Sequence, residues 1–358
     1  MARRKSRLKA YILALLTGVS GGGLGGYLNP DWPVIGPIVK SIQTQLGSAA
    51  TDTAAAQPGD IQRTSRPTAG PQRTPGGGVQ LASARRPPGS ILIASFNIQV
   101  FGESKLSKPG VVDVLAQTVR QFDLVAIQEV RAQADDILPR FLSAINADGS
   151  QYSFLIGPRL GRTVSTEQYA FIYDTTRIEY DPSSVGTMMD PSDLLHREPF
   201  VTRFRARTNP PQAGFTFWLV NIHTDPDEVS EEVDSLAEVF QVMQTARTDE
   251  DDVILLGDLN ADQTQLGRLG QVPGITWTVR DTMTNTRKTK AYDNLLFSAY
   301  ATREYTGRWG VFDLEQAFGI SRDDALKVSD HLPVWAEFRS QEVGSQPQLA
   351  DRPNAATR

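Results

Sequence analysis

A layered α/β domain between Ser90 and Arg339 is predicted by two features of the sequence. Short β-rich runs alternate with amphipathic helical stretches, and several runs are apolar on both faces, as strands at the centre of a sheet are. The strands expected are Ile91 to Ile98, Leu124 to Ile127, Tyr169 to Tyr173, Phe215 to Ile222, Val253 to Leu256, Asn294 to Phe297 and Val334 to Phe338. Val111 to Gln121, Ala134 to Asn146 and Val229 to Thr245 carry apolar residues at helical spacing and are expected to cover them. No internal repeat is evident. With 358 residues, 40% hydrophobic and 22% charged, the chain can bury a sizeable core in one large domain.

The average composition conceals a split. Residues 1–89 hold eleven Lys and Arg against Asp31, Asp52 and Asp60, whereas residues 90–340 hold 23 basic against 36 acidic side chains, a formal charge of −13. The compact part would repel a polyanion, so a nucleic-acid partner must be met through bound cations or a local cluster of Arg. The absence of cysteine excludes a disulfide framework, a thiol nucleophile and a thiolate metal site.

Residues 1–9 form a basic flank with Arg3, Arg4, Lys5, Arg7 and Lys9, and residues 10–28 are uncharged. As a helix at ~1.5 Å per residue the latter would span roughly 28 Å, close to the ~30 Å of bilayer hydrocarbon. Six glycines lower its helix propensity but offer small-residue spacings, Gly18 with Gly22 and Gly22 with Gly26. The segment is expected to be an uncleaved anchor with the domain outside the cytoplasm; a cleaved signal peptide and a secreted protein form the alternative. Residues 29–89 read as a flexible linker in which Arg63, Arg66, Arg73, Arg85 and Arg86 are solvated, and residues 341–358 as a disordered tail.

Polar residues recur at or just after the ends of the expected strands, where a sheet can hold side chains rigidly on one edge. They are Asn97 in SFNIQ, Glu129 in IQEVR, Glu167 before YAFIY, His223 in VNIHTDPD, Asp258 and Asn260 in LLGDLNAD, Asp293 in AYDNLLF, and Asp330 with His331 in SDHLPV. Singly, each has a structural explanation: GDLN as a turn, SDH as a helix cap, a Glu beside a strand as a solvated charge. In this order and number, together with FNIQVFGESK, LGR, REPF and DEVSEEVDSLAEVF, the chain from Ile91 to Phe338 resembles the endonuclease/exonuclease/phosphatase superfamily, most closely its deoxyribonuclease I branch.

The resemblance implies a four-layer sandwich of two packed mixed β-sheets flanked by helices, and metal-dependent phosphodiester hydrolysis. That chemistry needs an activated water, charge relief at phosphorus and protonation of the leaving alkoxide. Hard oxygen ligands suit Mg²⁺, with Mn²⁺ as a substitute. By similarity Glu129 is the principal metal ligand, with Asp258, Asn260 and Asp330, and Asn97 contacts the scissile phosphate. His223 with Glu167 and His331 with Asp293 are implied to be carboxylate-oriented imidazoles, while Arg131 and Arg197 match positions that contact backbone phosphates. His196 has no such partner in the sequence and reads as surface or structural.

The chain also departs from the branch pattern. Ser165 stands where an aromatic residue stacks in the minor groove, and Gln99 where some members have Arg. The segment from Asp181 to Arg197 is short, which removes one calcium loop; a second is blurred, since Asp281, Thr284 and Thr286 remain but Lys288 intrudes. The function expected is a largely sequence-nonspecific DNA endonuclease leaving 5′-phosphate and 3′-hydroxyl ends. The alternative is a membrane-associated phosphodiesterase or phosphatase acting on a phospholipid or small phosphoester. A non-catalytic binding module would require lost catalytic residues, and both His–carboxylate pairs are present.

Overall fold

The computed structural model describes residues 86–343 apart from 163–165. The anchor, most of the linker, Ser165 and the tail beyond Val343 lie outside the described residues. Among the described residues no helix is long and apolar enough to cross a membrane.

Among the described residues thirteen strands form two sheets. The first runs in the order β12 (Tyr305–Val311), β13 (Val334–Arg339), β1 (Ser90–Phe101), β2 (Leu124–Val130), β4 (Gln168–Asp174), β3 (Tyr152–Ile156). The second runs β10 (Ile275–Trp277), β11 (Asp293–Ser298), β9 (Val253–Asp258), β8 (Thr216–His223), β7 (Phe200–Ala206), β5 (Ile178–Tyr180), with the two-residue β6 (Gly186–Thr187) beside β7. In each sheet one central pair is parallel, β1 with β2 and β8 with β9, and every other pair is antiparallel. The two sheets therefore repeat one pattern, β12-β13-β1-β2-β4-β3 matching β5-β7-β8-β9-β11-β10, although no repeat is legible in the sequence.

Parallel neighbours need a crossover, and helices supply it. Between β1 and β2 the chain forms α1 (Glu103–Leu106) and α2 (Pro109–Val119), and between β8 and β9 it forms α4 (Val229–Gln244). Pro109 opens α2, where its missing N–H costs nothing, and Glu231 and Glu232 place negative charge in the first turn of α4. α4 lays Val233, Leu236, Phe240 and Met243 on the outer face of the second sheet, against Trp218, Val220, Val253 and Leu255. The first sheet is covered by α2, α3 (Ile137–Ile145) and α6 (Arg322–Val328), the last following the short α5 (Leu314–Phe318).

Between the sheets lies an aromatic core. Phe171 of the first sheet stacks on Phe200 of the second at 5.0 Å and meets Phe204 edge-on at 5.3 Å, while Phe338 meets Phe297 at 5.5 Å. A buried polar link crosses the same core, with Gln128 Nε2 donating to Asn221 Oδ1 at 2.6 Å and Asn221 Nδ2 to the Ile127 carbonyl at 3.1 Å. Glu129 and His223 are respectively one and two residues beyond these side chains, so the link sets their elements in register across the interface.

Arg86 differs from the sequence expectation. It is not solvated but pairs with buried Asp123 at 2.9 Å and with Asp174 at 2.7 Å. Asp123 also accepts the Leu92 N–H at 2.7 Å and pairs with Arg177 at 2.6 Å, so a buried carboxylate collects the start of the domain.

Gly257, immediately before Asp258, has φ of +152°, and a Cβ there would sit 1.9 Å from the Ile222 carbonyl oxygen. The glycine lets β9 approach β8 so that Asp258 falls opposite His223. Gly257→Ala is expected to destabilise the fold by about 2 kcal/mol or more, read as a lower urea midpoint, and to lower activity by separating those two residues.

Candidate active site

The parallel strands β1, β2, β8 and β9 end on one edge of the sandwich, and their antiparallel neighbours β4, β11 and β13 begin there. That topology gathers residues far apart in the chain: Asn97, Glu129, His223 and Asp258 from strand ends, and Glu167, Asp293, Asp330 and His331 from strand starts. Two local distortions aim them. The ladder slips between Asn97 and Phe101 of β1 and between Ile127 and Val130 of β2. Val100 and Glu129 take φ of 51° and 63° in those bulges, a left-handed backbone that costs roughly 1–3 kcal/mol for a residue with a side chain. Asn260, at φ 48°, does the same after β9. No sequence signal marks the turns at Val100 and Glu129, since neither is glycine, whereas Asn260 closes the GDLN run that reads as a turn.

The buried Asn97 amide bridges the sheets, donating to Glu129 Oε1 at 3.1 Å and to Asp258 Oδ2 at 3.0 Å. Val100 N–H donates to Glu129 Oε2 at 2.8 Å, and Arg131 pairs with that oxygen at 3.1 Å. His223 Nδ1 lies 2.8 Å from Glu167 Oε1, and His331 Nδ1 lies 2.9 Å from Asp293 Oδ2. Each pair takes one member from each sheet. The opposite ring nitrogens converge, with His223 Nε2 at 3.6 Å and His331 Nε2 at 3.4 Å from Asp258 Oδ2. A carboxylate on Nδ1 fixes the tautomer that leaves Nε2 facing the cavity.

Burial favours the neutral form of Glu167, but the His223 ring, Arg197 and Arg131 outweigh it and hold the carboxyl below its ordinary value. Burial also opposes charge on His223, yet Glu167 and then Asp258 raise its pKa. The same contest at His331 is won by Asp293 and Asp258, which push the imidazole up to about 10. Asp330 is raised by burial, with Glu129 and Asp258 adding to it and His331 opposing.

Arg131, Arg197, Asn260, Glu129, Asp258 and both histidines line a cavity of about 290 Å³, room for a hydrated ion and a phosphate group. Arg197 is nearly buried in its wall and commits two donors to backbone carbonyls, Nε to His223 at 3.1 Å and Nη2 to Thr224 at 3.2 Å. Asn260 donates to the Thr224 carbonyl at 2.9 Å, and Asp258 Oδ1 accepts the Asn260 N–H at 2.9 Å. Gln99 Nε2 donates to Asp330 Oδ2 at 2.9 Å.

His196, read from the sequence as surface or structural and without a carboxylate partner, is buried and has one in Asp225. The imidazole lines this cavity, accepts the Arg162 N–H on Nε2 at 3.3 Å, and so turns its Nδ1–H to Asp225 Oδ2 at 3.4 Å. Its partner was invisible because Asp225 comes from the loop after β8. Glu232 of α4 holds both loops, accepting the backbone N–H of His196 and, at 2.6 Å, that of Asp225. Sequence reasoning also missed the role of Thr284: its hydroxyl, considered only for a calcium loop, donates to Asp293 Oδ2 at 2.7 Å. Thr286 bonds the Ser329 carbonyl at 2.7 Å, and Lys288 pairs with Asp313 at 2.7 Å. Thr284→Val is expected to lower turnover by roughly tenfold through a looser Asp293–His331 pair, as substitutions behind reactive groups do, with substrate affinity little changed.

The donor set fits a hard divalent cation. Glu129, Asp258 and Asp330 offer carboxylates that repel one another, and Asn97 Oδ1 and Asp330 Oδ1 are buried without a hydrogen-bond partner. Oxygens of Asp258 and Asp293 and a ring nitrogen of His331 lie within 4.8 Å of one another. Asp293, however, is spent on His331 and Thr284, so that trio reads as a hydrogen-bonded row, not a coordination shell.

Two imidazoles aimed at one carboxylate oxygen, beside an oxygen-rich cation pocket on the edge of a two-sheet sandwich, are the equipment of a hydrolase acting on phosphoester bonds. Residues 94–331 match the Endonuclease/Exonuclease/phosphatase family, and the chain belongs to it. It is 30% identical over 269 residues to deoxyribonuclease gamma of Rattus norvegicus, covering 70% of this chain and 85% of the relative. To deoxyribonuclease-1-like 1 of Sus scrofa it is 34% identical over 258 residues, covering 69% and 80%. Among solved structures, a humanized TDP2 of D. rerio shares the fold at a TM-score of 0.50 and 15% identity, covering 70% of this chain and 99% of that one.

Proposed function

We propose that this chain is a metal-dependent, largely sequence-nonspecific DNA endonuclease that leaves 5′-phosphate and 3′-hydroxyl ends. The observation that carries the reading is the approach of both imidazole Nε2 atoms to Asp258 Oδ2 from opposite carboxylate supports, in a chain whose relatives are named deoxyribonucleases. One imidazole accepts a proton from the attacking water and the other donates one to the departing 3′ oxygen; Glu167 and Asp293 keep both rings oriented and favour their charged forms. Glu129, Asp258, Asn260 and Asp330 would hold Mg²⁺ or Mn²⁺, which supplies positive charge against the phosphate oxygens. Arg131, Arg197 and Asn260 line the cavity that would receive the substrate phosphates, offsetting the acidic surface of the domain, while Asn97, buried beneath it, holds Glu129 and Asp258.

The basic flank at residues 1–9 and the uncharged segment 10–28 support anchorage in a membrane with the domain outside the cytoplasm. Release of the full chain from membranes by alkaline carbonate would overturn the anchor.

Incubated with supercoiled plasmid and MgCl₂, the purified protein is expected to give nicked and then linear DNA whose ends are ligatable without prior phosphorylation, and chelator is expected to abolish the reaction. Intact plasmid alongside hydrolysis of a phospholipid or sugar phosphoester would overturn the assignment to DNA.

A further inference from the structure

Three carboxylates meet at the end of the sandwich opposite the cavity. Asp252 immediately precedes β9, whose far end carries Asp258; Glu304 precedes β12, and Glu342 follows β13. Oxygens of all three lie within 4.8 Å of one another. Asp252 and Glu304 are only 7% and 1% exposed, and Asp252 Oδ1 and Glu304 Oε2 are buried without a hydrogen-bond partner. The backbone pins the cluster from the other side: Glu304 Oε1 accepts the Val343 N–H at 2.6 Å and Glu342 Oε1 the Thr216 N–H at 2.7 Å. Arg203, the nearby guanidinium, is committed to Glu250 at 2.9 Å.

Burial, followed by the charges of Glu304, Glu250 and Glu342, pushes the Asp252 carboxyl up to about 8, with the neighbouring Thr302 opposing. Glu342 is raised by burial and by Glu304. Asp252 Oδ1 and Glu304 Oε2, buried without a hydrogen-bond donor, require a cation or a proton.

We propose that Asp252, Glu304 and Glu342 form a structural divalent-cation site of calcium type, separate from the catalytic cavity. The ligands are all oxygen, and calcium bonds of about 2.3–2.6 Å let one ion reach oxygens at this spacing, while waters complete the shell on the exposed side of Glu342. Magnesium, at about 2.0–2.1 Å and strictly octahedral, fits the spread less well. Asp252 belongs to the second sheet and Glu304 and Glu342 to the first, so the ion clamps the sheets at the end the active site does not hold. It also fixes the segment after β13, where Phe215 N–H donates to the Ser340 carbonyl and Glu342 N–H to the Ala213 carbonyl, each at 2.9 Å.

The test is thermal unfolding of the chelator-stripped full chain with and without CaCl₂. At a hundredfold excess over Kd the melting temperature should rise by roughly 5 °C. The rise should persist in Glu129→Gln, which disables the catalytic cation pocket, and be lost in Glu304→Gln and in Glu342→Gln. The second variant lies at the exposed edge and keeps the test decisive if the first does not fold. Titration calorimetry with CaCl₂ on the Glu129→Gln background should find one site, absent once Glu342→Gln is added. Magnesium-dependent plasmid nicking by Glu342→Gln at 25 °C should match wild type, which separates this site from the proposed activity. No calcium-dependent rise in the wild-type chain, or an undiminished rise in Glu342→Gln, would overturn the proposal.

Discussion

His223→Ala and His331→Ala are each expected to lower DNA cleavage by at least ~100-fold, because each removes a positioned proton acceptor or donor from the reacting edge. The double variant should fall by much less than the product of the two, since acid and base serve one transition state. Stability should separate them. Without His223, Glu167 still has Arg131 at 3.5 Å and Arg197 at 3.6 Å, so its charge remains compensated and the melting temperature changes little. Without His331, buried Asp293 keeps only Thr284 and faces the charge of Asp258. It must take up a proton or destabilise the fold, and His331→Ala should melt at the lower temperature. Near-normal cleavage by either variant, with circular dichroism confirming the fold, would refute the acid–base reading.

Much of this site was legible in the sequence for one physical reason. Central strands buried on both faces are long apolar runs, so a polar residue at the end of one stands out, as Asn97, Glu129, His223 and Asp258 do. Edge strands lack that signature. β3, β5, β10 and β12 lie at sheet edges with one side toward solvent, and β6 has two residues; none was anticipated. β7 was missed although its pattern alternates, because Arg203 and Arg205 break the apolar run. Partners distant in the chain were equally silent. Asp225 behind His196, Glu232 behind both their loops and Gln99 behind Asp330 become visible only once chain segments separated by up to 231 residues are brought together. The bulges at Val100 and Glu129 left no trace because the left-handed positions are not glycine.

Asp330→Asn should separate function from stability. Asp330 stands with Glu129 and Asp258 around the cation pocket, and its carboxyl is raised by burial and by those two charges, His331 opposing. A carboxyl whose folded pKa lies above its unfolded value contributes stability that is present at low pH and lost as pH rises through the folded pKa, so near neutrality the ionised form is held at a cost. The amide removes that charge and can still accept from Gln99 through Oδ1, where the carboxylate accepts at 2.9 Å. The melting temperature should therefore equal or exceed that of wild type, while cleavage falls on the order of 100-fold and half-maximal activity requires more Mg²⁺. If Asp330 served only to anchor Gln99, the amide would keep that bond, and metal dependence and cleavage would both stay near wild type. Unfolding curves and magnesium titrations of the same preparation decide between the two, because only an acid spent on holding a cation is dispensable for the fold and indispensable for the reaction.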